Sequence, residues 1–442
     1  MEIPGSVAIF GLGRTGQALV KFLSRLGKKI VVIDEKGEEE LTGALSELQG
    51  VEFERRLRWR GGPELSFDAP LVLFSPGIRT DHPLLVEARR QGRRVMGELE
   101  FASRFVKEPV IAVTGTNGKT TVVTLLGQIL KRAYGNVFVG GNIGRPLTEY
   151  LLDGGGARLL CLEVSSFQLE SIETFRPSIA VLLNLTEDHL DRYEDFQAYR
   201  KAKFRIFENQ KEHDFAITRS DLRDLGAVRP KILPFSLVGP FEEGAFFEDG
   251  FLCVRLGGRE FRYRREACPL LGPHNTENLL SAILAAHLVG VDRSVIEEVI
   301  STFRGLPHRI EKVREIEGVV YYNDSKATNV DATVRAIECF EGTIVLIAGG
   351  KDKGGSFGAL LPYLPRLKAL ILFGEAKGRI ERELGGHVRC FLESGLPSAV
   401  KRARDVAERG DVVLFSPMCS SFDMFRNYEE RGEAFRKIVE EM

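Results

Sequence analysis

Seven consecutive residues, Gly115-Thr116-Asn117-Gly118-Lys119-Thr120-Thr121, bring together close-approaching backbone, one fixed cation and several hydroxyls. They follow a strand-like apolar run at 110–113 and precede an amphipathic stretch at 122–133. Phosphates need many amide donors and a nearby cation, and the start of a helix adds aligned N–H groups and its dipole. Read against the pattern G-x-x-x-x-G-K-[ST], Lys119 would reach β- and γ-phosphates and the Thr120 hydroxyl would sit on Mg²⁺. Val113 stands where the first Gly of that pattern is expected. The bland alternative is a tight turn with no ligand.

A second glycine run, Gly11-Leu12-Gly13-Arg14-Thr15-Gly16, has Asp34 at the end of the next apolar run. This is the glycine-plus-acid arrangement of a dinucleotide fold, and it supports a nucleotide-like ligand without specifying NAD. Otherwise it is a Gly-rich turn with Asp34 as a loop residue. Ser75-Pro76-Gly77 also follows a strand-like run, at 71–74, and ligands of open sheets collect at such carboxyl ends. Glu163 closes the apolar run that begins at Leu159, and His189 lies in NLTEDHLD. Carboxylates suit Mg²⁺, whereas a single His is a less usual partner. Thr186, Glu187 and Asp188 read equally well as the first turn of a helix. Further polar loops are Asn323-Asp324-Ser325-Lys326-Ala327-Thr328-Asn329, Gly349-Gly350-Lys351-Asp352-Lys353-Gly354 and Ser416-Pro417-Met418-Cys419-Ser420-Ser421-Phe422. No base is evident beside Cys419, which reads as a packing thiol.

These loops must be positioned by something regular. Apolar runs at 7–10, 30–33, 110–113, 159–164, 179–183, 344–348, 369–373 and 412–415 alternate with helix-period stretches such as 17–26 and 122–133. Such alternation implies parallel sheets wound with crossover helices, an α/β fold. The 442 residues divide into three blocks, ending near Gly97 and Gly305, and the middle one carries a small β-rich insert at 245–263. Asp249-Gly250 and Gly257-Gly258 are its hairpin turns. With 61 Lys+Arg against 62 Asp+Glu, the net charge of −1 excludes nucleic-acid binding by bulk positive charge. Six cysteines without CxxC spacing argue against a zinc ribbon or disulfide scaffold. The expectation is a cytoplasmic chain with no signal peptide and no membrane insertion.

In order along the chain, TGTNGKTT, LEVSSFQLE, NLTEDHLDRY, GPHNTEN, GLPHR, NDSKATN and SPMCSSFDMF closely resemble the Mur ligases. The second, sixth and seventh motifs look specific to the branch that adds D-glutamate. The resemblance spans essentially the whole chain. It implies a Rossmann-like domain for a UDP-sugar (1–97), a central P-loop ATPase domain (98–305) and a C-terminal Rossmann-like domain (306–442). It also implies ATP-dependent addition of D-glutamate to UDP-N-acetylmuramoyl-L-alanine through an acyl phosphate, by a monomer that binds no nucleic acid.

By the same resemblance, Gly13, Arg14, Thr15, Asp34, Glu35, Lys36, Ser75, Gly77, Asn142 and Ser165 hold the UDP-substrate. Residues 115–121, Asn275, Arg309 and Asp324 hold ATP. Two Mg²⁺ ions fall to Thr120, Glu163, His189 and a carbamylated Lys203 in YRKAKFRIFE, although a helical Lys is ordinarily a solvated surface residue. D-Glutamate falls to Lys326, Thr328, Lys353, Ser421 and Tyr428, with His308 near the incoming amine; Lys119, Glu163, His189, Lys203 and His308 make up the catalytic set. Two departures from the family pattern stand out. Its glycine loop is less basic, leaving Lys351 or Lys353 for the side-chain carboxylate, and Tyr428 replaces a Phe. Another amide ligase of the superfamily, or an NAD-dependent dehydrogenase owning a P-loop, are the competing readings; no Asp-Asn-Pro-Arg signature of the diaminopimelate- or lysine-adding member is present.

Overall fold

The computed structural model describes residues 2–59, 68–189, 192–222, 228–352 and 354–442. Leu190, Asp191 and Lys353 therefore lie outside the described residues. Three mostly parallel sheets follow one another along the chain.

The first contains β1 (Ser6–Phe10), β2 (Lys29–Ile33), β3 (Glu54–Arg56), β4 (Leu71–Phe74) and β5 (Arg94–Gly97), in the order β3-β2-β1-β4-β5. All its pairs are parallel. Both faces are covered, which is why the strands are continuous apolar runs rather than alternating ones. Val7 and Ile9 pack with Leu19 and Leu23 on one side, while Ala8 and Phe10 pack with Leu84 and Leu85 on the other. The strand order reverses around β1 and β4, opening a crevice at their carboxyl ends.

The second sheet has nine strands: β6 (Val110–Thr114), β7 (Val137–Gly141), β8 (Leu159–Glu163), β9 (Ile179–Leu182), β10 (Phe215–Arg219), β11 (Lys231–Ser236), β12 (Gly244–Glu248), β13 (Phe251–Leu256) and β14 (Arg259–Arg264). Their order is β14-β13-β12-β11-β10-β9-β6-β8-β7. The β-rich region 245–263 extends this sheet: β12 pairs parallel to β11, and β13 and β14 continue it as its antiparallel edge. Asp249-Gly250 and Gly257-Gly258 do turn those hairpins, with positive φ at both positions, as tight hairpin turns require. The helix Lys119–Tyr134 packs on the helix Pro273–Leu288. In the latter, Leu279, Leu280, Ala282, Ile283, Leu284, Ala285 and Ala286 are all fully buried. A helix apolar all round belongs in a core, and each buried Leu or Ile contributes roughly 1.5–3 kcal/mol.

The third sheet contains β15 (Glu311–Ile316), β16 (Val319–Asn323), β17 (Ile344–Gly349), β18 (Leu367–Phe373), β19 (Cys390–Leu392) and β20 (Val412–Phe415), in the order β15-β16-β20-β17-β18-β19. Only β15 runs antiparallel to its neighbour.

The first and second sheets are joined through the short helix Glu98–Ser103. Glu98 Oε1 accepts both the amide and the hydroxyl of Thr148 at 2.7 Å. Glu100 Oε2 accepts the amides of Glu173, Thr174 and Phe175 at 2.8, 3.0 and 3.0 Å. Buried carboxylates are tolerated when satisfied in this way. The second and third sheets are joined instead by an irregular stretch with positive φ at Gly305, His308 and Ile310. The expected helix at 17–26 begins earlier, at Arg14, because Gly13 in extended conformation is itself the N-cap.

Candidate functional site

The carboxyl ends of the second and third sheets face each other across a cleft of about 750 Å³. The loop after β6 forms its floor. Gly118 has φ 88°, and a Cβ there would lie 2.4 Å from Asn278 Oδ1, so glycine is required at this position. Asn117 N–H donates to Asn184 Oδ1 at 2.9 Å while Asn184 Nδ2 donates to Asn117 O at 3.0 Å, a reciprocal clamp on the loop. Lys119 Nζ donates to the carbonyls of Gly115 and Thr116 at 2.9 and 2.8 Å. Burial lowers its pKa, with Glu163 and Asp188 partly offsetting this. Gly118→Ala should cost about 1–3 kcal/mol of stability and raise the KM for ATP. Calorimetry and initial rates check this; an unchanged thermal midpoint would count against it.

Glu163, 2% exposed, is the last residue of β8. It accepts from the Thr120 hydroxyl at 2.9 Å through Oε2 and from Asn142 Nδ2 at 3.0 Å through Oε1. Lys203 comes from the helix Phe196–Phe204, whose N-cap Asp195 accepts from Ala198 N–H. It is 1% exposed, whereas Lys201 is exposed. Its Nζ lies 3.5 Å from Thr114 Oγ1 and 4.8 Å from the centre of the Tyr199 ring. Burial, reinforced by the charge of Lys119, holds its pKa well below the usual lysine range against the pull of Asp188 and Glu163. His189 has φ 56° and packs edge-on against Phe167, ring centres 4.8 Å apart. The N-cap alternative for its segment fails: residues 186–189 begin no helix. Among the described residues, no group of three or more His, Cys, Asp or Glu side chains converges as a metal cage.

The opposite lip is built by the loops after β16 and β20. Asp324 accepts the Ser416 hydroxyl at 2.8 Å and Ile310 N–H at 3.2 Å, and burial pushes its carboxyl up to about 7. Lys326 Nζ sits 3.9 Å above the centre of the Tyr428 ring. Burial, then the charges of Arg309 and Lys119, lower its pKa to about 8. Thr328, Ser421, Asn275, Arg309 and Tyr428 also line the cleft, as do Ser165 and Asn142. Arg309 Nη2 donates to the Thr120 hydroxyl at 2.8 Å, and Asn117 Nδ2 to Asp331 at 2.7 Å, so the two lips touch.

His308 lies behind the cleft, edge-on to Tyr428 with ring centres 6.4 Å apart. It is 7% exposed and absent from the cleft lining; its Nδ1 takes a hydrogen bond from Asn323 Nδ2 at 2.9 Å. Lys351 is held by backbone pairing with Ser420, and its side chain does not line the cleft.

Gly13, Arg14, Thr15, Asp34, Glu35, Lys36, Ser75 and Gly77 gather at the first sheet's crevice instead. Asp34 braces the glycine loop, accepting Leu12 N–H at 2.7 Å and Lys36 N–H at 2.9 Å. Ser75 donates to Gly11 O at 3.0 Å across the strand reversal. Arg14 reaches Gly144 O at 2.6 Å, and Gly144 lines the cleft. Sequence reasoning did not find Asn184, Tyr199 or Arg431. Tyr199 sits in the quoted YRKAKFRIFE motif, and its hydroxyl lies 3.1 Å from Thr116 Oγ1. Arg431, fully buried, donates to Ser325 Oγ and to the carbonyls of Cys419, Ser420 and Ser325, tying together the two loops of the third-sheet lip.

Residues 5–97 match the Mur ligase MurD-like N-terminal domain, 113–286 the Mur ligase middle domain and 308–419 the Mur ligase glutamate ligase domain. The chain belongs to the Mur ligase family, in its MurD-like branch. It is 45% identical over 438 residues, covering 98% of this chain and 97% of the other, to the UDP-N-acetylmuramoylalanine--D-glutamate ligase of Geobacter sp. (strain M21). To the ligase of the same name from Geobacter metallireducens it is 46% identical over 445 residues, covering 99% and 98%. The fold is shared with UDP-N-acetylmuramate-alanine ligase MurC of Thermotoga maritima, with TM-score 0.61, 20% identity and 99% of each chain covered. It is shared as well with the MurF ligase of Thermotoga maritima, solved in complex with ADP, with TM-score 0.62, 20% identity and 98% of each chain covered. Mur ligases bind ATP. No helix among the described residues is long and apolar enough to cross a membrane.

Proposed function

We propose that the three sheets divide one ligation among them: UDP-substrate at the first (1–97), ATP at the second (98–305), amino acid at the third (306–442). The chain is an ATP-dependent ligase that adds D-glutamate to UDP-N-acetylmuramoyl-L-alanine in peptidoglycan synthesis. The single observation that carries this is 45% identity over 98% of the chain to a ligase named for D-glutamate addition.

ATP phosphates lie over residues 115–121, with Lys119 released from its carbonyl partners to meet them. The substrate carboxylate attacks the γ-phosphorus, forming an acyl phosphate and releasing ADP; the D-glutamate amine then attacks the acyl carbon and phosphate leaves. Carboxylate and γ-phosphate repel, so positive charge aimed at the transferring group is the main requirement. The Thr120 hydroxyl and Glu163 carboxylate suit one Mg²⁺, an ion that takes few protein oxygens and keeps phosphates and waters. Glu163, His189 and Lys203 suit the second once the lysine has become a carbamate. Mg²⁺ would neutralise charge on the transferring phosphoryl group. The low pKa of Lys203 supports this reading, since only a neutral amine adds to CO₂, losing a proton to give the carbamate oxyanion. Lys326, Thr328, Ser421 and Tyr428 hold D-glutamate with Lys353, while His308 supports the lip through Asn323. ATP and a nucleotide sugar as substrates suit a cytoplasmic reaction.

Phosphate release should be stimulated by UDP-N-acetylmuramoyl-L-alanine together with D-glutamate. Stimulation by L-lysine and not D-glutamate would overturn the assignment. Burial lowers the Lys326 ammonium to about 8, so below that pH it is cationic and suited to hold the D-glutamate carboxylate. The KM for D-glutamate should therefore rise as pH climbs through that value, and Lys326→Arg should move the rise to higher pH. A flat wild-type profile would remove Lys326 from amino-acid recognition.

A further inference from the structure

The proposed reaction asks one substrate to occupy two places, its diphosphate at the first sheet's crevice and its carboxylate beside the P-loop. Besides Arg14, which reaches Gly144 O, Arg192 spans the ground between them. Arg192 is 9% exposed. It forms a bidentate pair with Glu170, Nε to Oε1 at 3.2 Å and Nη2 to Oε2 at 2.7 Å, and its guanidinium lies 3.9 Å over the Phe167 ring. The remaining donors cross to the first domain, reaching the carbonyls of Pro76 and Ile78 at 3.4 Å each. Arg79 returns the contact, donating to Arg192 O at 2.9 Å.

Each end of this bridge is anchored. On the crevice side, Ser75 of the same loop bonds Gly11 O, and Ile78 borders Gly11 closely enough that a Cβ there would meet it at 3.5 Å. On the cleft side, the amides of Arg192 and Tyr193 close the turn onto His189 O at 2.9 and 3.0 Å. Phe167 carries the guanidinium on its face and packs edge-on against His189. Tyr193 bonds Glu170 at 2.5 Å, and Tyr199, 5.4 Å from Tyr193 between ring centres, reaches Thr116 of the P-loop. A planar, multidentate cation can hold two backbone carbonyls, a carboxylate and a ring at once, which a lysine cannot.

We infer that Arg192 is a positioning residue that sets the span between the nucleotide crevice and the phosphoryl-transfer cleft. The inference rests on the two-site reading of the substrate given above. Misplacement by about 1 Å can cost 10²-fold in rate. Arg192→Lys and Glu170→Gln should each lower kcat/KM for UDP-N-acetylmuramoyl-L-alanine by about 10–100-fold. Calorimetric affinities for UDP alone and for ADP alone should stay at wild-type values, because each fragment touches only one end of the span. Weakened UDP binding would reduce Arg192 to local support of the crevice loop, and weakened ADP binding to support of the P-loop; either overturns the inference, as does unchanged kcat/KM. If Arg192→Lys does not fold, Glu170→Gln carries the test. Wild-type protein inactive on the whole substrate would refute the ligase reading instead, which separates the two failures.

Discussion

Lys203→Met should lower kcat by about 10²–10³-fold, the range for removing one preorganised group from a transition state. The same change should raise the thermal midpoint in bicarbonate-free buffer. Lys203 is 1% exposed, beside Lys119, with no carboxylate within ion-pairing distance among the described residues. Its pKa in the fold is depressed below the unfolded value by burial and by the charge of Lys119, so between the two values the unfolded chain binds the extra proton more readily. Unfolding free energy therefore rises with pH across that window, and burial of the amine costs stability at neutral pH. Methionine fills the space without that cost. Such a trade of stability for activity is characteristic of functional groups. Phosphate-release kinetics and scanning calorimetry read the two effects, and intact mass with and without bicarbonate reports the carbamate. Wild-type kcat in the variant would take Lys203 out of the mechanism.

The second large effect is at Lys119. Lys119→Met should reduce kcat on the order of 10³-fold and weaken ADP binding, while affinity for UDP is unchanged. In this structure the ammonium caps the carbonyls of its own loop, 2.8–2.9 Å away. Its loss therefore leaves the loop's shape to the Asn117–Asn184 clamp and removes chiefly the charge. Titration calorimetry with the two nucleotides separates the sites. Equal weakening of both would point to collapse of the fold rather than loss of a phosphate contact.

The parts of the site that were legible in the sequence are those whose chemistry is local. The 115–121 loop announces itself because glycine, lysine and threonine follow one another between a strand and a helix. The polar runs at 323–329 and 416–422 are legible as strand-end loops for the same reason. Lys203 was not legible from its own surroundings: its helix packs against the short helix Ser166–Leu169, which leaves the amine beside Thr114 of β6 and the Tyr199 ring of its own helix, and only the family resemblance pointed there. Arg192, Glu170 and Asn184 act through partners far away in the chain, so no spacing rule exposes them. His308 was placed near the incoming amine by the resemblance alone, because its packing on Asn323 and Gly432 comes from segments far along the chain and leaves no local mark. The strands at 245–263 were recognised as hairpins, but their joining of the central sheet depends on the β11–β12 pairing, which leaves no local mark.

The two carboxylates at 98 and 100 remove a joint from a three-part molecule. With that helix fastened at Thr148 and at residues 173–175, the first two parts form a common chassis, and the covalent articulation left is the irregular stretch at 305–310. A body with one hinge searches one angle rather than two. On the proposed division of substrates, the long nucleotide sugar and ATP would be loaded onto a fixed baseline, while the third part would bring the smallest reactant. In that scheme the cost of closing would fall on the amino acid, the last reactant the chemistry needs.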